Sequence, residues 1–206
     1  MKPIFDSING NLNNALSLLK DQKNYNHWYA LQRMLEFDEE DLQNLHSTLF
    51  SSSVSLSRAL QHKFSEGLDA LNAERTVAIK QCHSPFLSWS IDWKFGRIGI
   101  DFFTGNRGSA ATRFLRLAAA IADSESEADI DVGVMIFLTG KAKSRGNLDS
   151  SVPTWEEATQ QIKLFSAFIH SPILIMGLDG PENFLVERTS SVGQKSKCVA
   201  LDRELD

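Results

Sequence analysis

Apolar residues recur at helical spacing through the first third of the chain and at strand spacing through its middle. Over Asn11–Gln22, Leu12, Ala15, Leu16 and Leu19 fall on one helical face. Over His27–Glu36, Trp28, Leu31 and Leu35 do the same. Asp38 stands where an N-cap belongs, ahead of a third helix ending near Phe50. The clearest helix covers Val54–Asn72, with Leu56, Leu60, Phe64, Leu68 and Leu71 along one stripe. Beyond residue 75 the period changes. Phe86–Lys94 and Arg97–Phe103 are aromatic and β-branched, which predicts adjacent strands joined through Gly96. Ser109–Ala122 predicts a helix with Phe114, Leu117, Ala118 and Ile121 facing inward. Asp131–Leu138 is nearly continuous in apolar residues, the pattern of a strand buried on both faces. Thr154–Ile169 predicts a helix opened by a capping box from Thr154 to Glu157. Pro172–Leu178 reads as another buried strand.

This order predicts an α/β fold, a mixed central β-sheet flanked by helices with a helical N-terminal layer. Residues 1–188 read as a single domain, and 189–206 as a polar C-terminal tail expected to be partly disordered. No internal repeat or low-complexity segment interrupts the pattern.

Composition narrows the class. At 206 residues, with 42% hydrophobic and 23% charged side chains, the chain has the make-up of an ordinary globular domain with a sizeable core. No apolar run approaches the roughly 20 residues that span a bilayer, so no membrane partner is expected. The start, Met1–Gly10, lacks the apolar stretch of a secretory signal. Cys82 and Cys198 stand apart with no CxxC pair, which fits a reducing cytoplasm rather than a disulfide scaffold. The histidines show no zinc-site spacing.

Net charge is −5, but the charges are segregated. Lys94, Arg97, Arg107, Arg113 and Arg116 face only Asp92 and Asp101 within residues 90–116. Lys141, Lys143 and Arg145 form a second basic cluster, while acids gather in Glu36–Asp41 and Asp123–Asp131. Such a distribution suits a surface turned toward a polyanion, and equally suits solvated charged faces.

The candidate chemistry lies in Ser90–Thr112. Asp92 and Asp101 flank the expected turn at Phe95–Arg97, so adjacent strands bring two carboxylates together. Oxygen ligands suit Mg²⁺, and a metal so held can activate water at a phosphodiester. Asp is also common at strand ends beside turns, and the pair can be read that way. Asp92-Trp93-Lys94 is an acid-x-Lys triplet, and strand alternation puts Asp92 and Lys94 on one face. Lys94 is thus a candidate catalytic cation, or a salt-bridge partner of Asp101. Thr104-Gly105-Asn106 reads as a turn and helix cap, Lys141–Arg145 as a short basic loop, and Trp89 and Trp93 as core.

The string Asp92-x4-Arg97-Ile-Gly-Ile-Asp101 resembles the paired strands of the BglII/BstYI type II restriction endonucleases. Its continuation, Asp101-Phe-x-Thr-Gly-Asn106-x-x-Ser109-Ala110, is similar to the matching stretch of BamHI. Ile130-Asp131-Val-Gly-Val and Ser171-Pro172-Ile-Leu-Ile-Met-Gly177-Leu resemble the family's next and last core strands. The likeness covers about residues 54–180 and implies kinship with the PD-(D/E)XK nuclease superfamily.

The resemblance implies a homodimeric restriction enzyme that uses Mg²⁺, with Mn²⁺ as a substitute. It would hydrolyse both strands of double-stranded DNA at a short palindrome, and several relatives read sites with a GATC core. Asp92 and Asp101 match the metal-binding acids, and Glu74 falls where BamHI has a further acid. Asn106 and Ser109 match the turn and helix start that face DNA, and Arg107, Arg113, Lys141, Lys143 and Arg145 are candidates for phosphate contacts. Two departures stand out. The second acid is Asp101 rather than Glu, and Phe103 replaces the Glu or Gln that follows it two residues on. Phenylalanine can neither orient nor deprotonate water. The resemblance therefore allows a second outcome, a relative that binds DNA or a partner protein without cutting.

Overall fold

The computed structural model describes residues 1–6, 8–79, 89–123, 129–189 and 196–201. The first half holds strands β1 (Pro3–Phe5) and β2 (Asn11–Leu12) and helices α1 (Ala15–Leu19), α2 (Tyr25–Met34), α3 (Glu39–Leu49) and α4 (Ser57–Ala70). Strands β3 (Glu74–Ala78), β4 (Ser90–Phe95) and β5 (Ile98–Phe103) lead into helix α5 (Arg107–Ala122). Strand β6 (Val132–Leu138), helices α6 (Gly140–Arg145) and α7 (Trp155–Phe165), and strands β7 (Ile173–Leu178), β8 (Phe184–Arg188) and β9 (Ser196–Ala200) follow.

Strands β5, β6 and β7 run parallel through the middle of one sheet ordered β1-β7-β6-β5-β4-β3. Their side chains are apolar and buried, with Asp101 the one polar exception. Both faces of these strands are covered, so neither can be polar. Antiparallel β4 and β3 extend one side, and β1 and β2 pair with β7 on the other. The sheet is mixed, as expected, and Asp101 lies in register with Met135 of β6.

One face of the sheet, carrying Phe103, Met135, Phe137 and Ile175, packs under Phe114 and Leu117 of α5 and Ile162 of α7. The opposite face, with Trp93, Ile100, Phe102 and Val134, packs under Leu19, Leu31, Leu42 and Leu60 of the first four helices. This is the helical layer expected from the N-terminal pattern. Helix α5 sits close because β5 and β6 present glycines to it. A Cβ on Gly133 would stand 2.7 Å from Leu117 Cδ2, and one on Gly99 2.8 Å from Leu117 Cδ1. Gly133→Val is expected to lift α5 off the sheet and cost about 1–3 kcal/mol in urea unfolding, the range for overpacking a filled core.

The structure departs from the sequence expectations at element ends. The helix expected over Asn11–Gln22 survives only as α1. Asn13 and Asn14 take left-handed backbone (φ 48° and 60°), and Asn11–Leu12 bonds to the edge of β7 instead. Asparagine tolerates that conformation, so the polar run breaks the helix. The caps are as expected. The Asp38 side chain accepts from the Asp41 N–H at 3.0 Å, and Thr154 and Glu157 form a capping box. Strands β1, β3 and β8 carried no expectation. Lys141–Arg145, expected as a short basic loop, lies in helix α6, whose start is capped by the Thr139 side chain accepting from the Ala142 N–H. Ser196–Ala200, in the polar C-terminal stretch, pairs with β8, and Ser196 Oγ lies 2.9 Å from the buried His46 Nε2. Residues 86–88 of the first expected strand, Cys82, 190–195 and 202–206 fall outside the described residues. Cys198 is a free thiol. Among the described residues no helix is long and apolar enough to cross a membrane.

Candidate active site

Strands β4 and β5 pair as Phe95–Ile98, Lys94–Gly99 and Trp93–Ile100 around the Gly96 turn (φ 60°), and the ladder stops there. Asp92 is the next residue. Ile91 and Trp93, two apart, belong to opposite hydrophobic clusters, Ile91 with Val77 and Trp93 with Phe64. Thr76, which falls between the paired residues Arg75 and Val77 on β3, has φ 51°. The strand pair therefore turns over at Asp92, and strict alternation does not carry through it. The triplet separates accordingly. Lys94 Nζ donates to Glu74 Oε1 at 3.0 Å across the β3–β4 ladder, while Asp92 turns to a different cation.

That cation is Arg113. Its Nη1 donates to Asp101 Oδ1 at 2.9 Å and also to Asp92 Oδ2, so one guanidinium nitrogen joins the two carboxylates. Arg113 reaches them from the second turn of α5, whose start is fixed by Asn106 Oδ1 accepting from the Ser109 N–H at 3.2 Å. The guanidinium carbon lies 5.7 Å from the centre of the Phe103 ring, which packs 5.4 Å from that of Phe137. Phe103 is fully buried and acts as a floor beneath the arginine.

Asp101 is only 3% exposed. Burial, and next the charge of Asp92, push its carboxyl up to about 6, against the opposing pull of Arg113 and Arg116. Burial disfavours the charge on Arg113, but Asp101 and Asp92 outweigh it and hold its pKa above the ordinary arginine value. The group is a tight cluster of unlike charges in which the buried acid is the strained member.

An open cleft of about 310 Å³ leads to this cluster, lined by Gln61 and Ser65 of α4 and by Asp92, Thr104, Gly105 and Arg113. Gln61 Nε2 donates to Thr104 Oγ1, tying α4 to the end of β5. Because β4 runs against β5, the start of β4 and the ends of β5, β6 and β7 share one edge of the sheet. The cleft opens on that edge, the usual ligand side of such sheets.

The donor set fits a hard divalent cation. Two convergent carboxylates suffice when water and phosphate oxygens complete the shell. Among the described residues no third carboxylate, histidine or cysteine joins them. Glu74 is exposed and engaged with Lys94.

The basic residues lie on the same edge and are tied down within the protein. Arg107 pairs with Glu157 at 2.6 Å and donates to the Ser150 carbonyl at 3.0 Å. Lys143 donates to that same carbonyl at 2.8 Å. Lys141 pairs with Asp179 at 3.2 Å, and Arg145 donates to the Glu182 carbonyl at 3.2 Å. Asn106 and Ser109 are engaged in the helix cap. Sequence reading did not single out Gln61 or Ser65. Their signal was a glutamine and a serine at i and i+4, beside the apolar stripe of a core helix.

Residues 10–178 match the family model described as restriction endonuclease BglII/BglIII. No match was found among curated proteins. Two solved structures share the fold. The crystal structure of restriction endonuclease BglII complexed with a DNA 16-mer aligns with a TM-score of 0.65 at 13% identity, covering 98% of this chain and 90% of that one. The crystal structure of free BglII aligns with a TM-score of 0.59 at 14% identity, covering 97% and 94%. At such identity the structural likeness speaks for the fold alone, but the sequence match extends over most of the chain. The chain belongs to the BglII/BglIII restriction endonuclease family.

Proposed function

We propose that this protein is a site-specific, Mg²⁺-dependent double-strand endonuclease, working as a cytoplasmic homodimer on a short palindrome of the GATC-core class. The observation that carries the reading is the convergence of Asp92 and the buried Asp101 on one guanidinium nitrogen, with Asp92 and that arginine lining an open polar cleft. Restriction endonucleases of this family generally use a divalent metal. Bound there, Mg²⁺ would supply an acidified water and charge stabilisation at the leaving oxygen. The chain's own part is to hold two oxygens at one point and to offer Gln61, Ser65 and Thr104 as neutral hydrogen-bonding groups along the cleft. Arg107, Lys141, Lys143 and Arg145, with the α5 start at Asn106 and Ser109, form the edge we assign to DNA phosphates. Their present partners are surface carboxylates and carbonyls, which phosphates can replace. We assign Lys94 and Glu74 to a tie between β3 and β4 rather than to the chemistry.

The dimer rests on a separate observation. Leu115 of α5 (50% exposed), Leu164 and Phe165 of α7 (74% and 38%) and Phe168 just beyond (80%) are large apolar side chains facing solvent. Between the two helices runs an apolar groove lined by Ala111, Phe114 and Phe165. A contiguous apolar surface of this kind marks an interface. A second copy, applying the same two helices across a two-fold axis, covers it and matches a palindrome.

Digestion of supercoiled plasmid with Mg²⁺ tests both parts. The native protein is expected to give discrete linear fragments and to sediment as a dimer. Phe168→Glu is expected to sediment as a monomer and to lose double-strand cutting at least about a hundredfold. A native protein that retains DNA but stays inert with both Mg²⁺ and Mn²⁺ is the non-cleaving relative that Phe103 brings into view.

A further inference from the structure

Nη1 of Arg113 takes one oxygen from each of Asp92 and Asp101, the oxygens through which the two acids could share a cation. The side chain is not locked in the core, because it is 30% exposed and lines the cleft. The Phe103 ring, standing where the family carries a polar residue, gives the guanidinium an aromatic seat rather than a competing hydrogen-bond partner. Arg116 lies one turn further along α5 and adds positive charge near Asp101, so a cation approaching the acids meets positive charge from the helix.

We propose that Arg113 is the resident counter-ion of the acid pair, seated on Phe103, and that it must swing out of the pair before a divalent cation can share both carboxylates. The inference rests on the reading of Asp92 and Asp101 as the metal-holding pair, and concerns what competes for them. A divalent cation sharing those same two oxygens would lie against the guanidinium, and the two positive charges would repel at close range. Arg113 has a place to go, since its side chain borders the cleft where a DNA phosphate would lie, and a guanidinium binds a phosphate in a bidentate manner. Arg113 is therefore a positioning residue that makes cation binding and DNA binding favour each other. With the arginine moved onto a phosphate, the acids are free for the metal.

The test is Mn²⁺ binding by calorimetry on the full chain without DNA, so activity plays no part in the readout. Arg113→Gln is expected to bind Mn²⁺ at least tenfold more tightly than the native protein. Arg113→Lys, which keeps a charge but loses the planar fork, is expected to fall between them. Near-ultraviolet circular dichroism checks the fold of each. If Arg113→Gln does not fold, Arg113→Lys against the native protein decides the matter. Affinity that is unchanged or weaker in the folded variants overturns the proposal. Adding Asp92→Asn to each variant separates the two readings. Loss of Mn²⁺ binding leaves the acid pair standing as the metal site, whereas unchanged binding removes that reading and this proposal together.

Discussion

Asp101→Asn is expected to reduce cleavage to background and, above pH 6, to make the protein more stable than its parent. The two effects have one cause. Asp101 is the polar side chain of three otherwise apolar strands, and burial together with the charge of Asp92 pushes its carboxyl up to about 6 from an ordinary 3.8. The native state therefore holds the Asp101 proton more tightly than the unfolded chain does. Its favourable contribution is complete below about pH 4, falls as pH rises through 4 to 6, and is gone above. The span from 3.8 to about 6 corresponds to about 3 kcal/mol. Asparagine cannot ionise and escapes that loss. Urea unfolding at pH 4 and pH 8 should show the stability of the variant, relative to the parent, rising with pH by up to about 3 kcal/mol. A difference that shrinks as pH rises would mean that Arg113 over-compensates the buried charge. The coupling of lost activity to gained stability is what a catalytic group held in a costly environment should show.

Phe103→Gln, which introduces the side-chain type that the resemblance implies for this position, is expected to destabilise the protein by about 3–5 kcal/mol and not to raise cleavage. Phe103 is among the largest fully buried side chains, packed on Phe137 beneath Arg113. Replacing the ring leaves a cavity between sheet and helix and sets an amide within apolar walls. It also removes the seat of the arginine, so the acid pair loses the geometry of its counter-ion. Thermal melts and plasmid digestion on the same preparations give both numbers. A variant of unchanged stability that cuts faster than the parent would make Phe103 a catalytic lesion, and the non-cleaving reading would gain.

The central strands were legible because burial on both faces leaves a plain signal, unbroken apolar runs over Val132–Leu138 and Ile173–Leu178. Asp101 was legible differently, as the partner of Asp92 across an expected hairpin; its burial was not. The edge strands were not. Pro3–Phe5 and Glu74–Ala78 are strands because β7 and β4 offer them hydrogen bonds, and their side chains, partly or largely exposed, carry no alternation. Lys94 shows how a local rule fails. Alternation from Asp92 assumes an even pleat, and the turn-over at Asp92, with Thr76 in left-handed backbone nearby, sends the two side chains to different partners. Arg113 looked like a phosphate-binding arginine on a helix surface. Its partners come from two separate strands, a relation that no helical period encodes.

The pairing of β1 with β7 has a consequence for how the molecule is made. Pro3 lies against Leu178 and Phe5 against Met176, so β1 must wait for its partner until the chain has been made as far as β7. Until then the parallel strands have no outer neighbour on that side, and an apolar edge is open to pairing with other chains. Assembly built on such distant pairings is slow. The yield of folded nuclease will therefore fall as more incomplete chains are present at once, and weaker expression should favour the soluble product over the aggregate.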